Sequence, residues 1–154
     1  MSNIIVWRLA SKRRAATLWD GEGAFRRGAR WSPPGVRAVY CAESRALAAL
    51  EVLVHVEEVS DFVAHDWVIA SALIPESLIE HPSKFPADWR VYPYGHTTQN
   101  FGAEWIRSGR SAVLRVPSAV VLGEFNYLLN PQHVDFAQVQ LTKHTAFQFD
   151  SRLA

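Results

Sequence analysis

The stretch VRAVYCAESRALAALEVLVHVE, residues 36–57, places a predicted strand directly before a predicted helix. Residues 36–42 alternate with the period of two that is typical of a strand. Ser44 is a favourable N-cap residue for a helix. Apolar side chains then recur at helical spacing: Leu47, Leu50, Leu53 and Val54. We therefore predict a strand over residues 36–42 and a helix over residues 45–57.

The remaining elements follow from β-branched and aromatic runs and from the positions of Gly and Pro. Further strands are predicted at residues 3–9, 67–74 and 112–116, the last continuing over 118–122 after a kink, with one or two closing strands in 139–149. A second helix is predicted from Thr97 or Thr98 to Arg107, closed by Gly109. We expect one α+β domain over residues 1–154, with a central mixed or antiparallel sheet.

Composition narrows the class of protein. The 154 residues are 49% hydrophobic, 12% aromatic and 20% charged, which fits a globular domain and excludes a collagen-like or disordered chain. No apolar run has the ~20 residues of a membrane span, and the first ten residues do not resemble a signal peptide. Cys41 is the single cysteine, which excludes an intramolecular disulfide and a cysteine-based metal cluster. We expect a cytoplasmic protein without a membrane partner.

Charge is distributed unevenly along the chain. Residues 1–45 hold nine Lys or Arg and three Asp or Glu, a net of +6, whereas the remainder has a net charge of −5. A basic segment of this kind indicates an anionic partner near the N-terminal third. The alternative is a solvated face whose charges pair with the acidic remainder. Nucleic acid is disfavoured as the partner because the pI is only about 8.0.

Common catalytic motifs are absent, but polar residues interrupt apolar surroundings at several places. There is no phosphate-binding glycine loop, zinc-protease motif or serine-hydrolase motif. The six histidines are scattered, so no metal site is predicted, and Cys41 in mid-strand is a poor nucleophile candidate. The candidate polar residues are Arg30, Tyr40, Glu51, Ser118 and Asn126.

Five blocks around these residues resemble the RES domain family, which is named for its arginine, glutamate and serine. The blocks stand in family order across roughly residues 4–145. They are GARW at 28–31, VYCA at 39–42, LAALE at 47–51, VPSA at 116–119 and NYLLNPQH at 126–133. One such block would be weak evidence, but five in order are specific.

The resemblance implies a toxin of a bacterial toxin–antitoxin pair, with a fold related to ADP-ribosyltransferases. Such toxins consume NAD by phosphorolysis or hydrolysis of the nicotinamide–ribose bond. NAD is then a substrate, phosphate a possible co-substrate, and no resident cofactor is expected. The implied partner is an Xre-type antitoxin that blocks the active site, and the implied site consists of Arg30, Tyr40, Glu51 and Ser118. We also expect a homodimer.

The chemistry of these side chains agrees in kind with that assignment. A guanidinium such as Arg30 can grip a diphosphate through two hydrogen bonds. The Glu51 carboxylate can stabilise positive charge that develops on the ribose. Tyr40 can stack on nicotinamide, and Ser118 can hydrogen-bond its amide or place the incoming phosphate or water. Additional substrate contacts are expected from Arg8 and Asn126.

Each assignment has a structural alternative. Arg30 and Glu51 can form an ion pair, Tyr40 can be a tyrosine at the edge of the core, and Ser118 can cap the turn after Pro117. Two other functions also remain open: an ADP-ribosyltransferase that modifies a host protein, and a nucleic-acid-binding or catalytically inactive interaction module.

Overall fold

A single sheet of eight strands organises the chain in the computed structural model, which describes residues 2–154. The strands are β1 (Asn3–Ser11), β2 (Val39–Ala42), β3 (Trp67–Pro75), β4 (Ile79–Glu80), β5 (Val113–Pro117), β6 (Phe125–Leu129), β7 (Gln140–Leu141) and β8 (Thr145–Phe147). The α-helices are α1 (Glu22–Arg27), α2 (Arg45–Leu53), α3 (Val59–Ala64) and α4 (His96–Ser108). Short 3₁₀ helices span Lys12–Thr17, Glu76–Leu78, Val134–Gln138 and Ser151–Leu153.

The strand order is β4-β5-β6-β2-β1-β3-β7, and β8 also pairs with β3. Only the β4–β5 pair is parallel among the described strands, and the other pairs are antiparallel. The longest ladder joins β1 to β3, from Asn3 opposite Pro75 to Ser11 opposite Trp67. This mixed sheet with a few helices confirms the predicted α+β fold class.

Both faces of the sheet are buried, because successive residues of the central strands belong to different parts of the core. Val113 and Leu129 pack in one cluster, whereas Leu114 and Leu128 pack in another with Trp105 of α4. Tyr40 and Ala42 are two residues apart in β2, so their side chains point to the same face of the sheet. Tyr40 packs in the cluster of α4 and Ala42 in the cluster of α2, so α2 lies on the same face as α4. Both long helices therefore cover one side of the sheet. No helix among residues 2–154 has the length and apolar character needed to cross a membrane.

Most predicted elements are confirmed, with shifted ends. Helix α2 begins after Ser44, whose side chain accepts a hydrogen bond from the backbone N–H of Leu47. It ends at Leu53, short of the predicted residue 57, in a segment where alternate valines lower the helix propensity. The predicted strand 36–42 is paired only over 39–42, and the closing segment 139–149 contains the two short strands β7 and β8.

The predicted strand over residues 118–122 is wrong. The Ser118 hydroxyl accepts hydrogen bonds from the backbone N–H groups of Val120 and Val121, and these bonds turn the chain. The chain then reverses into β6, a strand that the sequence pattern does not predict. Helix α1 is likewise not predicted from the sequence, because its two flanking glycines and Gly23 are typical of a loop.

Gly102 allows α4 to lie directly on the backbone near Arg30. A β-carbon built at Gly102 would be 1.6 Å from the carbonyl oxygen of Trp31. The Gln99 side chain of the same helix donates a hydrogen bond to the carbonyl of Ala29. Helix α4 therefore holds residues 29–32 in place, and a side chain at position 102 would separate the two segments.

We predict that Gly102→Ala destabilises the protein, although alanine favours a helix by about 1 kcal/mol over glycine. The clash with Trp31 should reduce the free energy of unfolding by about 1–3 kcal/mol, as overpacking typically does. Thermal and denaturant unfolding measure this change. Gly95→Ala is the control, because nothing lies within 4 Å of a β-carbon at that position. Equal stability of the two variants would contradict the close packing of α4.

Candidate active site

Three segments distant in sequence bring Glu51, Ser118 and Asn126 together. Strand β6 pairs antiparallel with β2 and β5, so that Asn126 lies opposite Ala42 on one side and Val116 on the other. Ser118 follows the end of β5, and α2, which carries Glu51, follows the end of β2. The ends of β2 and β5 and the start of β6 thus meet at one edge of the sheet.

The Glu51 carboxylate receives two hydrogen bonds on a single oxygen. The Ser118 hydroxyl donates to Oε2 at 2.7 Å, and the Asn126 amide nitrogen donates to the same atom at 2.6 Å. Oε1 has no hydrogen-bond partner among the described residues. The carboxylate is half-buried and held from one side, which leaves its other oxygen available to a ligand.

The hydrogen bond between Ser118 and Glu51 has a fixed direction, with the serine hydroxyl as the donor. Its oxygen already accepts from the backbone N–H groups of Val120 at 3.1 Å and Val121 at 3.0 Å. A hydroxyl has one hydrogen and two lone pairs, so its hydrogen is left to donate to Glu51. Ser118 is completely buried, and its backbone N–H donates to the carbonyl of Glu124. Ser118 therefore caps the turn after Pro117, as the structural alternative predicts, and it also orients Glu51.

Asn126 has one half of its amide engaged and the other half free. Its nitrogen donates to Glu51, whereas its oxygen Oδ1 is buried and lacks a hydrogen-bond partner among the described residues. Buried polar atoms are usually paired, so an unpaired acceptor beside a carboxylate suggests a place where a ligand donates a hydrogen bond. The prediction that Asn126 contacts substrate stays a prediction.

Arg30 is anchored through one nitrogen by the segment that follows β4. Its Nη1 donates to the carbonyls of Trp89 at 2.9 Å and Val91 at 2.8 Å, and the guanidinium lies 5.5 Å from the centre of the Tyr94 ring. Both hydrogens of Nη1 are used in this way, while Nε and Nη2 have no described partner. The free edge of the guanidinium retains the geometry for a bidentate contact.

The negative charge of Glu51 acts on Arg30 although the two side chains form no ion pair. Burial lowers the pKa of Arg30, and the negative charge of Glu51 acts in the opposite direction. The two side chains form no ion pair in residues 2–154, so the alternative that they are a direct structural ion pair is wrong. Each of the two groups keeps hydrogen-bonding atoms that no described residue occupies: Nε and Nη2 of Arg30 and Oε1 of Glu51.

Tyr40 supports the segment that carries Arg30. Its hydroxyl lies 2.8 Å from the Ser32 hydroxyl and accepts a hydrogen bond from the backbone N–H of Trp31 at 3.2 Å. Burial raises the pKa of Tyr40, so this hydroxyl is neutral at physiological pH. These contacts match the alternative of a core-edge tyrosine with a satisfied hydroxyl, and stacking on nicotinamide stays a prediction.

Arg8 is hydrogen-bonded within the fold, and Cys41 is buried. Arg8 donates to the carbonyl of Leu18 at 2.6 Å and to that of Tyr40 at 3.0 Å, where β1 and β2 pair at only one position. Burial lowers its pKa, and its expected contact with substrate stays a prediction. Burial raises the pKa of the Cys41 thiol to about 12, so the reactive thiolate is scarce at neutral pH.

No group of three or more His, Cys, Asp or Glu side chains within residues 2–154 is arranged to hold a metal ion. The polar centre consists instead of one carboxylate, one guanidinium and the hydrogen bonds that position them. Sequence reasoning missed the contribution of Trp89, Val91 and Tyr94, since residues 76–95 match no block of the family pattern. Their aromatic and proline content was the only available signal.

The fold is similar to that of a solved toxin. The chain superposes on a chain from the crystal structure of the M. tuberculosis MbcT–MbcA toxin–antitoxin complex with a TM-score of 0.77. The match covers 96% of this chain and 85% of the other at 20% sequence identity. This likeness establishes a shared fold.

Sequence comparison identifies the family. The model of the RES domain matches residues 5–150. A protein of Yersinia enterocolitica named Toxin Res is 35% identical over 97% of this chain and 99% of its own length. A Sphingobium protein named Prs ADP-ribosylating toxin is 36% identical over 96% of this chain and 94% of its own length. The suspected resemblance is thereby confirmed: this chain belongs to the RES domain family, among the RES toxins.

Proposed function

We propose that this toxin cleaves the bond between nicotinamide and ribose in NAD, with phosphate or water as the acceptor. The observation that carries this proposal is the Glu51 carboxylate, which is held by Ser118 and Asn126 on Oε2 and open on Oε1. A fixed carboxylate of this kind suits a reaction in which positive charge develops on a sugar ring. The free edge of Arg30 supplies the complementary site for an anionic group of the same substrate.

In the proposed reaction, the bond between ribose C1′ and the nicotinamide nitrogen breaks, and its electron pair leaves with nicotinamide. The ribose carbon becomes cationic, and Oε1 of Glu51 stabilises it. An oxygen of phosphate or water then bonds to C1′, and water loses a proton in doing so. The products are nicotinamide and either the phosphate ester of ADP-ribose or ADP-ribose itself.

Substrate orientation follows from the remaining polar groups. Arg30 is expected to grip the diphosphate through Nε and Nη2, since Nη1 is bound to the carbonyls of Trp89 and Val91. The unpaired Oδ1 of Asn126 is suited to accept a hydrogen bond from a ribose hydroxyl. Ser118 acts as a positioning residue in this scheme, because its single hydrogen is directed at Glu51.

A second candidate is transfer of ADP-ribose to a protein side chain. The Sphingobium relative named Prs ADP-ribosylating toxin favours this reaction. Both reactions begin with the departure of nicotinamide and differ only in the acceptor that reaches C1′. The toxin can be incubated with NAD alone, with added phosphate, or with purified Prs, the protein in the name of that relative. Free ADP-ribose identifies water as the acceptor, its phosphate ester identifies phosphate, and ADP-ribosylated Prs identifies a protein side chain.

We also propose an Xre-type antitoxin that covers the region around Arg30 and so blocks the candidate active site. A solved structure that shares this fold is a toxin–antitoxin complex, which supports an antitoxin as the partner. Association of the free toxin into a homodimer stays a prediction, and analytical ultracentrifugation measures it directly.

Glu51→Gln should abolish most turnover of NAD without unfolding the protein. The amide keeps the size of the side chain but removes the charge, a loss worth roughly 10²–10³-fold in rate. Release of nicotinamide, followed by chromatography, measures the effect. Glu58→Gln is the control, because it removes the same charge from an exposed glutamate. Turnover by Glu51→Gln at the rate of the control would refute the role of the carboxylate.

Arg30→Lys should weaken NAD binding although the charge is retained. A lysine has no planar fork, so it cannot hold the carbonyls of Trp89 and Val91 and grip a diphosphate at once. We expect about a tenfold to hundredfold higher Kd in calorimetric titrations of the variant. Arg107→Lys, on the exposed side of α4, should bind like the wild type. Unchanged affinity with a lower Tm would instead assign Arg30 a purely structural role.

In cells, expression of the chain alone should stop growth and lower the NAD concentration, because the enzyme consumes a shared cofactor. Co-expression with the cognate antitoxin should restore both. Cell density and extracted NAD are the measurements, and Glu51→Gln at equal soluble level is the control. Arrested growth with unchanged NAD would favour protein modification, and normal growth at a verified soluble level would refute the toxin function.

A further inference from the structure

A cleft of about 430 Å³ separates the 3₁₀ helix Lys12–Thr17 from α1. Its walls are formed by Arg13, Arg14, Thr17, Glu22, Gly23, Arg26 and Arg27. Four of these seven residues are arginines and one is a glutamate, so the lining carries a net positive charge. None of them is hydrogen-bonded to the group around Glu51 and Arg30 in residues 2–154.

The single carboxylate of the cleft is already neutralised. Glu22 binds Arg26 at 2.5 Å through one oxygen and Arg37 at 3.2 Å through the other. Its pKa is lowered, chiefly by the hydrogen bond from Arg26. The other arginines of the cleft are Arg13, Arg14 and Arg27. Their side chains form no ion pair and no hydrogen bond with any described residue. Their charge is uncompensated inside the protein.

Two of these guanidinium groups converge over Gly23. A β-carbon built at Gly23 would lie 3.6 Å from Nη1 of Arg14 and 4.0 Å from Nη2 of Arg27. Two like charges that approach the same point from different elements repel each other unless an anion lies between them. Because residue 23 carries no long side chain, the space between the two guanidinium groups is open to a ligand.

The lining specifies the chemistry of the anion. Guanidinium groups pair with phosphate oxygens through two parallel hydrogen bonds, and several of them around one cleft suit a group with several adjacent phosphates. The cleft has the volume of a small-molecule site, yet no aromatic ring lines it to stack on a base. A nucleic-acid strand would need a longer basic groove, and the chain as a whole has a net charge of only +1.

We propose that this cleft is a second binding site, separate from the site around Glu51, for a compact oligophosphate group. The group is held by Arg14 and Arg27 over Gly23, with Arg13 at the rim. The recognition requires only linked phosphates, whether free or attached to a small metabolite. This site does not depend on the reaction proposed for Glu51.

Calorimetric titration with inorganic triphosphate, ATP and a duplex oligonucleotide tests the proposal. The decisive variant is Gly23→Glu, which supplies an internal carboxylate between Arg14 and Arg27 and replaces glycine by a better helix former. Triphosphate binding should weaken on the order of tenfold to a hundredfold while the Tm stays equal or rises. Gly23→Ala should bind triphosphate like the wild type, since a β-carbon alone fits the available space.

Two double variants that remove the same charge distinguish binding in the cleft from nonspecific attraction to a basic protein. Arg14→Gln with Arg27→Gln should lose triphosphate binding, whereas Arg107→Gln with Lys143→Gln, which removes the same charge from exposed positions, should retain it. Stronger binding of ATP than of triphosphate would identify a nucleotide as the carrier of the group. Equal loss in both double variants, unchanged binding by Gly23→Glu, or preferential binding of the oligonucleotide would overturn the proposal.

Discussion

Strand β6 pairs with β2 on one side and β5 on the other, and the remaining geometry of the candidate site depends on this double pairing. Asn126 at the start of β6 lies opposite Ala42 and Val116, so the ends of both neighbouring strands must reach the same edge of the sheet. The helix after β2 and the turn after β5 therefore meet there. A one-residue slip of β6 would turn Asn126 to the opposite face of the sheet, away from Glu51.

Within that frame, the hydrogen bonds on Glu51 form a chain with a fixed direction. Backbone N–H groups of Val120 and Val121 saturate the Ser118 oxygen, and its hydrogen is consequently directed at the carboxylate. Dipoles oriented before a ligand arrives need no reorganisation when charge develops, which is the main source of electrostatic stabilisation in active sites. On the other side, two backbone carbonyls hold the Arg30 guanidinium by one nitrogen. Each charged group is therefore held at one atom and free at another.

Sequence reasoning predicted the parts of the site that depend on residue type and local spacing. Ser44 as an N-cap and the apolar stripe of α2 predicted that helix, and the resemblance to the five family blocks implied Arg30, Tyr40, Glu51 and Ser118 as site residues. The contacts of Arg30 were beyond that reasoning, because backbone carbonyls exist at every residue and nothing in the side chains of Trp89 or Val91 marks them as acceptors. Sequence reasoning likewise predicted that Asn126 contacts substrate, but it did not predict the hydrogen bond from the Asn126 amide nitrogen to Glu51. That contact depends on the register of β6 against β2.

The strand order also has a consequence for the timing of assembly during synthesis. Ser118 and Asn126 follow Glu51 by 67 and 75 residues, and β6 must be present before β2 and β5 can be joined. At a translation rate of about 5–20 residues per second, these residues leave the ribosome roughly 3–15 s after Glu51. A nascent chain that has already formed α2 still lacks the donors that orient its carboxylate. The polar centre consequently assembles only after β6 has been synthesised, well after α2 has had time to form.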